Sequence, residues 1–206
     1  MFISLDGGDG VGKSTQVALL ADWLRRLGHS VVTCRDPGST RLGEAIRSFL
    51  LDRHDLQMTP KAEMLLYMAA RAQMVEEVIR PALAAGQTVI ADRYLLANVV
   101  YQGYGAGLDV ETLWQIGRVA TGGLMPELTI VLDIPVELAM GRLGDKPDRI
   151  EARDRDFHAR VRQGFLTEAH RQPDQIVVLD ATGSVDQVHR QIQQLLRQRG
   201  LVDGHL

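Results

Sequence analysis

The sequence predicts an α/β protein built on a five-stranded parallel sheet flanked by helices. Two observations carry that prediction. Short apolar runs alternate with longer segments of helical periodicity, which is the pattern of strands joined by helical crossovers. The runs are also apolar throughout rather than alternating, as strands covered on both faces require.

The elements follow in order. Phe2 to Leu5 is an apolar run that stops at Asp6 and two glycines. Ser14 to Leu27 is helical, with Val17, Leu20, Leu24 and Leu27 on one face and Gly28 at its end. Ser30 to Cys34 reads as a second strand. Arg41 to Leu51 and Pro60 to Ala85 read as helices, the longer one kinked by Pro81. Thr88 to Ala91 is a buried strand ending at Asp92, and Val110 to Ala120 is helical. Leu128 to Ile134 is a strand, followed by a short helix from Pro135 to Leu143 that proline opens. Arg153 to His170 is a charged helix with Phe157, Val161 and Phe165 on one side. Ile176 to Leu179 and an amphipathic helix from Val185 to Arg199 complete the series.

In such sheets ligands bind at the carboxyl ends of the strands. The chemistry is therefore expected at Asp6 to Ser14, Arg35 to Thr40, Asp92 to Tyr94, and after Asp133 and Asp180.

Composition narrows the partners. The chain has 206 residues, which allows one or two domains, and a formal net charge of -3. A generic nucleic-acid binder would be basic. No apolar run reaches the roughly 18 residues of a membrane span. The N-terminus lacks the basic and apolar regions of a signal peptide, and the single cysteine, Cys34, rules out an internal disulfide. A cytoplasmic location follows as an expectation. Only 3 residues are lysines, Lys13, Lys61 and Lys146, so each one merits scrutiny.

Gly7-Gly8-Asp9-Gly10-Val11-Gly12-Lys13-Ser14, with Thr15 behind it, matches G-x-x-x-x-G-K-S/T between a strand and a helix. Glycines let the backbone wrap closely, so that its N–H groups point at phosphate oxygens. Lys13 supplies a mobile charge for the outer phosphates, and the Ser14 hydroxyl can coordinate Mg²⁺. The motif indicates a nucleoside triphosphate without naming the reaction. A GTPase would carry N-K-x-D, but no lysine here follows an asparagine. A partitioning ATPase would carry an extra lysine at the loop's start, where this chain has Asp6-Gly7-Gly8. A kinase remains.

Five segments, in order, resemble the thymidylate kinase family. They are Phe2 to Thr15; Arg35-Asp36-Pro37-Gly38-Ser39-Thr40; Ala62-Glu63-Met64-Leu65-Leu66-Tyr67 running to Arg71-Ala72-Gln73; Asp92-Arg93-Tyr94 running to Tyr101-Gln102-Gly103; and Asp148-Arg149-Ile150-Glu151. The resemblance implies a P-loop nucleoside monophosphate kinase fold and a single domain over 1–206 with a lid segment at about 143–152. It implies transfer of the γ-phosphate of MgATP to dTMP, giving dTDP, with Mg²⁺ as cofactor. It implies a homodimer packed through helices such as Ala62 to Arg80 and the one near Leu95.

Residue by residue, the resemblance gives Asp9 the 3′-hydroxyl of the acceptor, and places Asp36 near the acceptor phosphate or its metal. It assigns Tyr67 to stacking on thymine, Arg71 to the base or nearby phosphate, Arg47 to the O4 edge, and Tyr101 and Gln102 to the acceptor site. Tyr67 and Arg71 share a helix face at i, i+4, although core packing is the alternative for Tyr67. Asp92 is placed at a strand exit to hold Mg²⁺ and Arg93 to clamp the acceptor phosphate. Where some relatives carry an arginine after the loop aspartate, this chain has Gly10, so the lid should supply the catalytic cation. Arg142, Lys146, Arg149 and Arg153 are candidates. The family's pattern gives Arg142 to adenine, with Ala181 in the same pocket, and leaves Arg149 and Lys146 for catalysis. Two departures stand out: Ala97 where the family has serine, and Ser39 where it has glycine. The rivals are a kinase for another nucleotide or deoxynucleoside, and a non-catalytic ATP-dependent interaction protein.

Overall fold

A parallel strand cannot turn straight back into its neighbour, so each needs a crossover. The structure, a computed structural model describing residues 1–53, 55–144 and 147–202, is organised around that need. β1 (Phe2–Gly7) runs through the phosphate loop into α1 (Lys13–Arg26). β2 (Val31–Arg35) leads to α2 (Arg41–Leu51) and α3 (Pro60–Met74). A π-helical stretch, Val75–Ile79, continues α3 into α4 (Arg80–Ala84) and then β3 (Thr88–Asp92). α5 (Leu95–Asn98), a second π-helical stretch (Val99–Gly105) and α6 (Val110–Thr121) follow. β4 (Leu128–Asp133), α7 (Val136–Met140), α8 (Arg155–Arg171), β5 (Ile176–Asp180) and α9 (Val185–Gln198) complete the order.

All strand pairs are parallel, in the order β2-β3-β1-β4-β5. β1 is central, so its C-terminal end lies between strands whose crossovers cover opposite faces. Successive side chains point to opposite faces, and each face has its own core. Ile3, Leu5, Ile90, Leu128, Ile130 and Leu132 pack under α1 and α9 with Leu20, Leu24 and Ile192. Phe2, Val89, Ala91 and Val131 pack with Met68, Leu95, Val99 and Phe165 on the other face.

The predicted strands are all present, each ending within two residues of its predicted limit. Two helical regions differ. The long helix expected over Pro60 to Ala85 is interrupted by the π-helical stretch before Pro81. A proline inside a helix lacks an N–H and collides with the carbonyl four residues back; widening the preceding turn accommodates it. The helical run from Leu95 to Gly105 has no counterpart in the sequence reading, apart from the helix anticipated near Leu95. Its Val-Val-Tyr-Gln-Gly-Tyr-Gly stretch is β-branched, aromatic and glycine-rich, so local propensity opposes a helix. Burial of Val99, Val100 and Tyr101 overrides it.

Candidate active site

The phosphate loop owes its shape to backbone that side chains would block. At Gly10, φ is +74° and a Cβ would lie 2.2 Å from the Ala139 carbonyl oxygen. A side chain at that position would require α7 to move. The loop ends at Gly12, which leads into α1 with no side-chain cap and no acidic residue in the first turn. By contrast α2, α3, α6, α8 and α9 are each capped by a side chain. The first N–H groups of α1 are thus left for an anion, at the positive end of the helix dipole.

Lys13 is buried, and its ammonium donates to the Gly8 carbonyl across the loop. Burial, then the nearby Arg93 guanidinium, bring its pKa down to about 8. Asp6 lies in β1 beneath the loop, fully buried, accepting from Ser4 Oγ at 3.0 Å. Burial pushes its carboxyl up to about 6, against the pull of Arg93. Ser14 Oγ donates to Asp92 Oδ2 at 2.6 Å, so the last residue of β3 meets the first turn of α1. These are hard oxygen donors. No group of three or more His, Cys, Asp or Glu among the described residues could hold a metal unaided. That combination fits Mg²⁺, which keeps its waters and binds through one or two protein oxygens plus substrate phosphates.

The loop opens into a cleft of roughly 710 Å³ at the carboxyl ends of the strands. Its walls include Asp9, Lys13, Ser14 and Thr15 at one end, and Asp36, Arg47, Tyr67, Arg71, Tyr101 and Gln102 at the other. The structure therefore gathers residues that the sequence scattered over most of the chain. Gly7, Gly8 and Val11 shape the loop from behind. Ala181 is buried in the core and does not line this cleft; Gly183, Ser184 and Val185 do.

Two ion pairs organise the cleft, the first half-buried and the second buried. Arg93 donates to Asp9 and, at 2.7 Å, to the Gly7 carbonyl. Tyr101 accepts from Arg93 at 3.0 Å and donates to Asp9 Oδ2 at 2.7 Å. Burial works against the charge on Asp9, but Arg93 and then Lys13 outweigh it and hold the carboxyl below its ordinary range. Arg93 has φ +67°, a left-handed conformation that costs a non-glycine residue energy and persists only where its surroundings enforce it. Here its two ends are fixed: its N–H donates to the Leu5 carbonyl at 2.9 Å, and its guanidinium spans the loop.

The second pair joins Arg71 Nε to Asp36 Oδ2 at 2.5 Å, both side chains being 1% exposed. Burial pushes the Asp36 carboxyl up while Arg71 opposes it. Asp36 thus lines the cleft with its carboxylate on the Arg71 guanidinium. Arg71 Nη1 donates to Asn98 Oδ1 at 2.9 Å, and Nη2 has no protein partner among the described residues. Arg47 donates to the Pro37 carbonyl at 3.1 Å. Ser39, at φ +64°, accepts from the Arg35 N–H at 2.7 Å and keeps the turn that a glycine would make freely.

The donor end is sparser. Arg142 is exposed and lines the cleft. Arg149 does not line it: Nε donates to the Leu50 carbonyl at 2.7 Å and Nη2 to Glu63. Lys146 lies outside the described residues. Sequence reasoning missed Asn98 and assigned nothing to Glu63. The i, i+4 spacing of Asn98 and Gln102 was a visible signal, but only once a helix is placed there.

A cleft with a phosphate loop at one end and a cation-lined pocket at the other defines a nucleotide-dependent phosphotransferase of the phosphate-loop class. A sequence model described as thymidylate kinase matches residues 5–192. The chain is 50% identical over 201 residues to a thymidylate kinase of Synechococcus sp. (strain JA-3-3Ab), covering 97% of this chain and 96% of that one. It is also 50% identical over 186 residues to one from Rhodopirellula baltica, covering 90% and 76%. A crystal structure of thymidylate kinase from Ehrlichia chaffeensis superposes with a TM-score of 0.79 at 30% identity, covering 95% and 98%. The chain belongs to the thymidylate kinase family.

Proposed function

We propose that the cleft performs the family's reaction, transferring the γ-phosphoryl group of ATP to dTMP to give dTDP and ADP. The observation that carries this reading is one continuous cleft joining an uncapped phosphate loop to a pocket walled by Tyr67, Arg71 and Gln102. The loop from Gly7 to Thr15 wraps the donor phosphates, with Lys13 between them. Arg142 and the 183–185 turn hold adenine. At the other end Tyr67 stacks on the base, and Arg47, Arg71 and Gln102 read its edge. Asp9, kept ionised, accepts from the 3′-hydroxyl, and Tyr101 fixes its rotamer. Arg93 clamps the acceptor phosphate.

An acceptor phosphate oxygen is already an anion, so no general base is required. That oxygen forms the new bond to the γ-phosphorus as the bond to the β-bridging oxygen breaks. Positioning and cations make up the catalysis. Ser14 and Asp92 would hold Mg²⁺, which supplies charge neutralisation between the donor phosphates when bound. Arg149 and Lys146 of a lid at about 143–152 would add positive charge as it closes.

The same reading extends to a single domain over 1–206 and a cytoplasmic setting; no helix among the described residues is long and apolar enough to cross a membrane. It also includes a homodimer. α5 is wholly buried, so the apolar surface for a second copy falls to α3 and α6, where Leu65 and Val119 are exposed. Steady-state assays with dTMP, dUMP, dCMP and deoxythymidine test the acceptor. A clear preference for dTMP is expected, and preference for another acceptor overturns the assignment.

A further inference from the structure

Glu63 is 1% exposed and sits in the first turns of α3, outside every role given above. It joins one wall of the cleft to two arginines outside it. Its Oε1 accepts from Gln102 Nε2 at 2.8 Å. Its Oε2 accepts from Arg149 Nη2 at 2.5 Å and from Arg153 Nη2 at 3.4 Å.

The direction of the bonds is forced by charge. Arg71 can only donate, so Asn98 must offer it oxygen. The Asn98 amide nitrogen then faces Gln102 Oε1, at 2.6 Å. Gln102 is left with its NH₂ towards Glu63, whose carboxylate can only accept. A single polar chain therefore runs from Asp36 through Arg71, Asn98 and Gln102 to Glu63, where the lid arginines close it.

Arg149 is held there by more than Glu63. Its backbone N–H donates to the Leu51 carbonyl at 3.1 Å and its Nε to the Leu50 carbonyl. In this arrangement it stands outside the cleft where phosphoryl transfer needs its charge.

We propose that Glu63 is a positioning residue that latches the lid: it parks Arg149 and Arg153 on α3 and, through Gln102, makes their release depend on the base pocket being filled. A thymine ring competing for the Gln102 amide weakens one side of the chain and frees the arginines for the donor phosphates. Until then ATP lacks the lid's cations, and water is a poor acceptor. The assembly of a catalytic site by the correct substrate is a general route to such selectivity.

The inference rests on the dTMP kinase reading, and its test separates the two. Calorimetry gives the affinity of a non-hydrolysable ATP analogue with and without dTMP, and phosphate release gives ATP hydrolysis without dTMP. In the unmodified protein dTMP should tighten the analogue within the usual range of about fivefold to 150-fold. Glu63→Gln keeps an oxygen for Gln102 but removes the charge that holds the arginines. It should cut that coupling to less than half and raise hydrolysis without dTMP severalfold. Arg153→Gln, at a half-buried position, should move both in the same direction by less, and it decides the matter if Glu63→Gln does not fold. Unchanged coupling and hydrolysis in the variants overturn the latch, as does a loss of dTMP binding with hydrolysis unmoved. If the unmodified protein neither binds nor phosphorylates dTMP, the functional reading fails instead.

Discussion

The acceptor end of the cleft and the donor end are built differently. At the acceptor end, Asp36, Arg71, Asn98 and Gln102 are all buried and joined to one another, and Asp9, Arg93 and Tyr101 form a second closed set. At the donor end the bonds are few: Lys13 rests on a carbonyl of its own loop, Arg142 is exposed, and Arg149 is engaged elsewhere. One half is organised before any ligand arrives; on the proposed reading, the other is left for the nucleotide and a lid to complete. Specific reading of a base benefits from fixed donors and acceptors, because a wrong base leaves them buried and unpaired. Phosphates make fewer geometric demands and supply charge of their own.

The hardest test of a pre-built acceptor end is to break its buried pair. Arg71→Ala leaves Asp36 enclosed without its cation, which costs about 3–5 kcal/mol of stability. Burial already holds the Asp36 carboxyl above its ordinary range, and without Arg71 only the weaker pull of Arg93 and Arg47 opposes it, so its folded-state pKa rises further above the unfolded one. A group shifted that way is most favourable to folding when protonated, so the deficit should shrink as the pH falls. Denaturant melts across pH measure it. In the fraction that folds, KM for dTMP should rise far more than KM for ATP; an ATP-selective loss would exchange the two halves.

The donor end is probed at Lys13. Lys13→Ala should lower kcat by about 10²–10³, the scale of a lost charge-stabilising donor in a transition state. Near-normal turnover would remove the phosphate-loop assignment. A pH profile sharpens the contrast. Burial brings the Lys13 pKa down to about 8, so the free protein loses this cation as pH rises through that value. kcat/KM for ATP, which reports the free enzyme, should fall above about pH 8. The limb in kcat should lie higher, because bound phosphates favour the charged amine. Asp9 stays ionised throughout, so the acceptor end should show no matching limb.

The contrast also accounts for what could be read in the sequence. The phosphate loop is legible because its function is carried by consecutive backbone, and Gly10 and Gly12 are written next to Lys13. The strands are legible because burial on both faces makes each one apolar throughout. The acceptor chain is not legible in the same way. Asp36, Arg71, Asn98, Gln102 and Glu63 meet only after β2, α3 and the helical run from Leu95 to Gly105 have packed. That run was hidden because its residues favour strands and turns, so the Asn98–Gln102 spacing had no helix to act on. The position of Arg149 was hidden for another reason. A basic residue in a lid motif shows which charge is available, but not which carboxylate holds it, and Glu63 lies 86 residues away.

The finest distinction within the acceptor end is between shape and hydrogen bonding at Tyr67. Its ring lines the cleft and shares a helix face with Arg71, yet its hydroxyl has no hydrogen-bond partner among the described residues. Burial raises its pKa further above neutrality, so the group is never ionised in the working range. If the base lies on the ring face, the aromatic system supplies the contact and the hydroxyl is incidental. Tyr67→Phe should then leave KM for dTMP within about twofold, while Tyr67→Ala raises it by about tenfold, as loss of one stacked base at roughly 1–3 kcal/mol implies. Should Tyr67→Phe weaken dTMP as much as Tyr67→Ala does, the hydroxyl rather than the ring would be the recognition element. Tyr67 would then join the polar chain through Arg71 and Gln102 instead of forming the apolar wall beside it.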